Sequence, residues 1–245
     1  MKSNVLKCVS SASVLVICLV ACAPAAPQVA TVAPVVVATV VPVVQATVAS
    51  AAAVNPPAAG SLVLKIVEGE SNAQYEVNET LFNQNNKLAT AIGVTPKVNG
   101  EIALNVLDPS KTQVGKITVD ISLLKSEGNP NGNGSQRRDG FIKSNFLESA
   151  KYPIAEFIPA KYDGLPSTYK TGETLKFKMS GNMKVHETVA PVTWDVEATY
   201  DGAVLKGKAS TAVKMSMFGF QAPNIGGMLR AEDDAKLALV FVAKP

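Results

Sequence analysis

Histidine and cysteine are nearly missing from this chain. His186 is the single histidine, and the three cysteines, Cys8, Cys18 and Cys22, all fall within the first 22 residues. Everything after Cys22 therefore lacks a thiol, which excludes cysteine nucleophiles and disulfides there, and one imidazole makes no histidine cluster for a metal. No Gly-x-Ser-x-Gly elbow occurs. Ser122-Leu123-Leu124-Lys125 and Ser167-Thr168-Tyr169-Lys170 fit Ser-x-x-Lys, and Lys170-Thr171-Gly172 fits Lys-Thr-Gly. Both read as coincidence. The first is expected on an alternating strand, where Ser and Lys face opposite ways, and the second overlaps a motif that should stand far from it. His186 continues the polar face of its strand and reads as solvated. Glu232-Asp233-Asp234 lacks further spaced ligands and reads as a solvated turn before the last strand. The expectation is a protein without catalytic residues, metal site or cofactor, and not an enzyme.

Charge is missing from the first quarter of the chain. Of 23 basic residues only Lys2 and Lys7 precede Ser61, and none of the 20 acidic ones does. The remainder carries 21 positive against 20 negative charges, too balanced for a nucleic-acid footprint. Lys2 and Lys7 form a positive n-region, and an apolar run with Val14, Leu15, Val16, Ile17 and Leu19 follows. This is short for a membrane span and has the flanks of an export signal. Leu19-Val20-Ala21-Cys22 resembles a bacterial lipobox, in which the cysteine is acylated and becomes the new N-terminus. The competing reading is an ordinary secretory signal cut after Ala21 or Ala25. The lipobox is preferred because Cys22 follows a small residue at the end of the apolar run. It implies a membrane-anchored lipoprotein facing the periplasm or the cell exterior, with residues 1–21 as signal peptide. Ala23 is not an Asp retention signal, so an outer-membrane address stays open.

Residues 23–60 contain no charge and are rich in Pro, Ala and Val. A transmembrane helix competes for this stretch. Pro34 and Pro42, the β-branched density, and Gln28 and Gln45 argue instead for an extended tether. It could span roughly 115 Å fully extended, or about 35 Å as a flexible coil.

From Ser61 onward the dominant period is two. Leu175, Phe177, Met179, Gly181, Met183 and Val185 alternate with Lys176, Lys178, Ser180, Asn182 and Lys184. Val192 to Ala198, Leu205 to Met217, Ile117 to Leu123, Ile102 to Val106 and Leu237 to Phe241 repeat the pattern. Asp201-Gly202 sits at hairpin distance between two runs, Asn99-Gly100 precedes another, and Gly128 to Ser135 reads as an exposed loop. Only Arg137 to Ser149 looks helical. The expected fold is mainly β, an antiparallel barrel or sandwich with one short helix and no disulfide, and about 185 residues suffice for its core. Gly181, Ala198, Gly207 and Ala209 on the apolar faces either leave room inside a barrel or mark sharp bends.

Arg138-Asp139-Gly140-Phe141-Ile142-Lys143-Ser144-Asn145-Phe146, followed by Lys151-Tyr152-Pro153 and Phe157, resembles the YceI-like polyisoprenoid-binding family. Gly181 to His186 followed by Pro191-Val192-Thr193, and Met217-Phe218-Gly219-Phe220, are similar to two further blocks of that family, in order, within Tyr75 to Ala243. Met183-Lys184 replaces the family's Leu-Thr, Glu187 stands where Gly is common, and Glu79-Thr80 and Asn83 occupy the region of an absent His-Ser. The chain resembles a divergent member. The resemblance implies a lipocalin-like antiparallel β-barrel over residues 61–245, with a long apolar channel for an amphiphile with a polyisoprenoid tail.

Arg138 and Asp139 match the family's motif and open the helical segment. Asp139 there favours a helix N-terminus. The pair reads either as a cap and ion pair or as Arg138 at a channel mouth near an anionic head group. Phe141, Phe146, Tyr152, Phe157, Met179, Trp194, Phe218 and Phe220 complete the candidate ligand-binding set, although a barrel core and a barrel pocket share one wall. The expected function is carriage or storage of a polyisoprenoid, quinone or related lipid. The alternative is a structural or interaction lipoprotein whose barrel its own side chains fill. Expected partners are the lipid ligand and the membrane reached through Cys22, without nucleic acid; a homodimer stays open.

Overall fold

The alternating run from Leu175 to Val185 is a strand in the computed structural model of the protein, which describes residues 60–127 and 133–245. The export signal, Cys22, and the stalk with its membrane-span alternative lie outside the described residues, as do residues 128–132 of the Gly/Asn loop. In chain order the elements are β1 (Ser61–Ile66), β2 (Asn72–Leu81), β3 (Lys87–Thr95), β4 (Val98–Asn99), β5 (Glu101–Asn105), β6 (Gln113–Val114), β7 (Ile117–Asp120) and β8 (Lys125–Ser126). Then come α1 (Asn133–Asn145), β9 (Ile154–Asp163), β10 (Thr174–Val185), β11 (Thr188–Tyr200), β12 (Leu205–Lys214), β13 (Asn224–Ile225) and β14 (Leu229–Lys244).

The fourteen strands form one sheet whose pairings between named strands are all antiparallel. From β9 it runs through β10, β11, β12 and β14 to β1 and β5. Gly100 alone separates β5 from β4, and β4 pairs with β7, which pairs with β9. The run Val98–Asn105 thus carries the sheet round to its starting edge and curls it into a barrel. The long β14 pairs with β2 over Leu229–Val240 and with β1 at Ala243 and Lys244. β3 adds the next wall against β2 and holds β8 at Gly93 and Val94.

The period-two pattern decides which side faces in. Val192, Trp194 and Val196 are buried, while Thr193, Asp195 and Glu197 are exposed. On the outer face Lys176 meets Glu197 at 2.7 Å and Lys178 meets Asp195 at 2.5 Å, directly across β10 and β11. Such exposed pairs contribute a few tenths of a kcal/mol each. Among the described residues, the core and the ladders that close the barrel fall between Ser61 and Lys244. The 60–245 segment is expected to melt cooperatively by itself.

Several local expectations change. The helix begins at Asn133, inside the expected loop, and ends at Asn145, not Ser149. It stops there because Glu148 turns left-handed at φ 41°, and the Ser149 N–H reaches back to the Lys143 carbonyl at 2.9 Å. The strand expected to run to Leu123 ends at Asp120, whose carboxylate accepts the Ser122 N–H at 2.9 Å and caps a 3-10 turn. Ser122 and Lys125 therefore do not share a strand. Likewise β12 stops at Lys214, before a 3-10 turn at Met215–Phe218. Glu232-Asp233-Asp234 is no turn: it lies within β14, where pairing with β2 slips between Ala231 and Ala235. Asp233 accepts from the Ser216 N–H at 2.9 Å, and Asp234 pairs with Lys214 at 2.9 Å.

The small residues divide between their two readings. A side chain at Gly181 would overlap the Ile158 carbonyl at a slip in the β9–β10 pairing, and one at Gly207 would meet the Glu197 carbonyl and the Phe241 ring. These glycines mark close approaches. Ala198 and Ala209 instead face empty space inside the barrel.

Candidate ligand-binding cavity

A cavity of about 560 Å³ occupies the barrel. Its wall is built from the inward positions of β2, β3, β7, β9, β10, β11, β12 and β14, and α1 lies across one end. Buried alanines (Ala91, Ala155, Ala209, Ala231 and Ala235) stand where larger side chains would fill the space. A smaller cavity of about 80 Å³ lies on the β5–β6 side. Ile117, Met179, Ala209 and Leu239 line both, so these side chains form the partition between them. The far side of the small cavity is tied shut at Tyr169, whose hydroxyl sits 2.8 Å from both the N–H and the carbonyl of Tyr200.

Eight of the ten sequence-predicted ligand residues line the large cavity: Arg138, Phe141, Phe146, Phe157, Met179, Trp194, Phe218 and Phe220. Phe157 on β9 and Trp194 on β11 meet edge-on at 6.0 Å across the intervening β10, and Trp194 Nε1 is buried without a hydrogen-bond partner among the described residues. Phe141 and Phe146 touch edge-on at 5.6 Å on and just beyond α1. Phe141, 40% exposed, and Met228, 52% exposed, line the cavity where it reaches the surface.

Asp139 and Tyr152 are not in the cavity wall. Asp139 lies in the middle of α1, not at its N-terminus, and accepts from the Ser126 N–H at 3.0 Å and the Ser126 hydroxyl at 2.5 Å. It fastens the helix to β8. Tyr152 stacks on His186 at 5.0 Å, with the Lys151 ammonium 4.6 Å from its ring. That ammonium holds its proton more tightly than a free lysine, first through its contact with Tyr152. His186 is not the solvated strand residue expected. It turns the β10–β11 hairpin at φ 55°, packs against Tyr152 and Phe220, and places Nε2 2.6 Å from the Leu147 carbonyl.

The polar feature of the cavity is one the sequence reading missed. Glu79, only 5% exposed, accepts both guanidinium arms of Arg138, at 3.1 and 2.8 Å. The charge of Arg138 is therefore already matched inside the protein. Tyr75 lies next to this pair, opposite Gly93, its ring filling the place a Cβ there would take. Burial lifts the Tyr75 phenol above its ordinary 10.0, against the pull of Arg138. Among the described residues no cluster of metal-ligating side chains occurs.

A family model described as a YceI-like domain matches residues 64–243. The crystal structure of Burkholderia cenocepacia BcnA is similar, with a TM-score of 0.54 at 14% identity over 73% of this chain and 99% of that one. A polyisoprenoid binding domain from Saccharophagus degradans, implicated in plant cell wall breakdown, gives 0.52 at 11% identity, over 74% and 97%. At such identities the likeness speaks to the fold, a lipocalin-like barrel. No curated protein matches the sequence.

Proposed function

We propose, from the premise that this chain belongs to the YceI-like family, that it binds a long apolar molecule in the barrel cavity and carries or stores it near a membrane. The observation that carries this reading is the cavity of about 560 Å³ with alanine and aromatic walls. That volume falls within the roughly 300–1,000 Å³ of pockets that hold small organic ligands. A barrel filled by its own side chains would leave no such space, so the structural-lipoprotein alternative has less support. The similarly folded domain from Saccharophagus degradans, described as polyisoprenoid binding, supports the same ligand class.

The head group follows from Glu79. Arg138 is bound at both arms, so among the described residues the cation left unpaired in the cavity lining is Arg137, and a carboxylate or phosphate placed at Arg138 would sit against the Glu79 charge. A neutral head, such as a quinone or an alcohol, suits the Glu79–Arg138 side of the cavity. Export and anchoring through an acylated Cys22 are part of this proposal and rest on the lipobox. Extraction of the purified protein with organic solvent, followed by mass spectrometry, tests the reading. A co-purifying isoprenoid or quinone is expected. No lipid, together with no Trp194 fluorescence response to long-chain isoprenoids or fatty acids, would overturn it.

A further inference from the structure

The cavity opens at one end of the barrel, and exposed apolar side chains stand close to that mouth. Phe82, Leu88 and Met228 are 41, 80 and 52% exposed. They sit on two adjoining tips. Leu81 pairs with Lys87 on one side and Leu229 on the other, and the Phe82 N–H donates to the Met228 carbonyl at 2.8 Å. Large apolar side chains standing in water at neighbouring tips are an unstable way to leave a surface unless something covers them.

Basic residues stand at both tips, with Glu232, which accepts from Asn78 at 3.1 Å, just behind Arg230. The β2–β3 tip, residues 80–91, holds Lys87 and no acid, and residues 219–231 hold Arg230 and no acid. In α1, Arg137 and Lys143 add two more cations, while its one carboxylate, Asp139, is taken by Ser126. Among the described residues none of Lys87, Arg230, Arg137 and Lys143 forms an ion pair. Elsewhere some lysines are paired across strands, as at Lys176–Glu197, Lys178–Asp195 and Lys214–Asp234, while others, Lys206, Lys208 and Lys236 among them, form no ion pair among the described residues. What marks this end is the placement of its cations beside exposed apolar side chains: Lys87 precedes Leu88, and Arg230 follows Met228 by two residues.

We propose that the open end of the barrel is a membrane-docking surface, which seats Phe82, Leu88 and Met228 in the interface of an anionic bilayer and lays Lys87 and Arg230 against its head groups. Apolar tips ringed by cations are what such an interface recognises. Docking there sets the cavity mouth, at Phe141 and Met228, directly on the lipid phase, so that a water-insoluble molecule could pass without crossing water. The inference stands apart from the identity of the cavity ligand, because the empty domain should dock equally well.

Sedimentation of the 60–245 domain with vesicles tests it, comparing phosphatidylcholine alone with phosphatidylcholine mixed with phosphatidylglycerol. Binding is expected to the anionic vesicles and to weaken with salt. The triple change Phe82→Ser, Leu88→Ser, Met228→Ser should remove it, whereas Val63→Ser, an exposed apolar residue away from this end, should not. Lys87→Glu with Arg230→Glu should weaken partition by at least about tenfold. Equal binding by the triple variant, or no vesicle binding by a folded domain, would overturn the proposal. So would a dimer in solution that the triple variant dissolves, because the apolar tips would then have a second copy as partner.

Discussion

Glu79 grips Arg138 with both carboxylate oxygens, at 2.8 and 3.1 Å, from a position almost closed to solvent. Glu79→Gln keeps the shape and removes the charge, leaving Arg138 with an unmatched guanidinium at the cavity. Two effects are expected. Stability should fall by about 2 kcal/mol, because a buried charge pair is broken from one side. Preference should move from neutral amphiphiles toward fatty carboxylates, read by competition for the cavity. Unchanged preference with unchanged melting would show that the pair sets neither.

Trp194 should report occupancy of the cavity. Its ring lines the wall beside Phe157, and its N–H has no partner to mask a change in surroundings. A long-chain isoprenoid should shift its fluorescence. Ala235→Leu adds a side chain into empty space; it should shrink that response while raising stability by up to about 1 kcal/mol. Phe157→Asp should abolish the response by placing a charge in an apolar wall. A full response in Ala235→Leu would mean that the ligand lies elsewhere.

Much of this barrel is legible in the sequence because β10, β11 and β12 alternate cleanly and join through short turns, Asp201-Gly202 among them. β2 and β3 are harder to read. Glu79 interrupts the inward series Ala73, Tyr75, Val77, and the inward positions of β3 are small or polar, at Ala91, Gly93 and Thr95. β2 pairs with the adjacent β3 on one side, but its other partner is β14, about 150 residues away, and no local pattern announces that pairing. Arg138 could be singled out from its motif, but the carboxylate that neutralises it comes from β2, so its ion pair with Glu79 could not be read from the local sequence. Asp139 misleads for a similar reason: its role depends on where α1 begins, and helix boundaries are the weakest part of a sequence reading.

Alkaline pH should destabilise the barrel earlier than it would without Tyr75 and Tyr162. Burial raises both phenols above 10.0, so the folded state keeps their protons longer than the unfolded chain. A raised folded value means that the stabilisation is fully present below pH 10.0 and is lost as pH rises through the folded values. Melting temperature against pH should fall above that point, and Tyr75→Phe should make the fall shallower. An identical slope in Tyr75→Phe would show that its phenol titrates as in water.

Cys22→Ser tests the anchor. The variant is expected to appear in soluble fractions, or to accumulate as uncleaved precursor. Membrane retention with wild-type processing would rule out acylation at Cys22, and labelling with a palmitate analogue in the wild type alone would support it.

The place where the chain enters the barrel sets a requirement on the stalk. β14 runs from Leu229, at the open end, to Lys244, and β1 pairs Lys65 with Lys244, so Ser61 lies beyond the opposite end. Sixteen residues of strand put these ends about 50 Å apart. If Cys22 holds the chain to a bilayer, a short link would leave the mouth pointing away from it. Residues 23–60, read as a tether of about 35 Å as a coil and roughly 115 Å at full stretch, are long enough for the domain to turn its open end back to the same membrane. Deleting residues 29–50 should prevent this. With the acylated chain reconstituted in vesicles, a fluorophore on Leu88→Cys, whose thiol is unique once Cys22 is acylated, should be quenched by brominated lipid when the stalk is whole. The shortened chain should stay anchored but lose most of that quenching. If it is quenched as strongly as the full chain, the domain reaches the bilayer by another route, and neither the stalk's length nor the entry point of the chain governs docking.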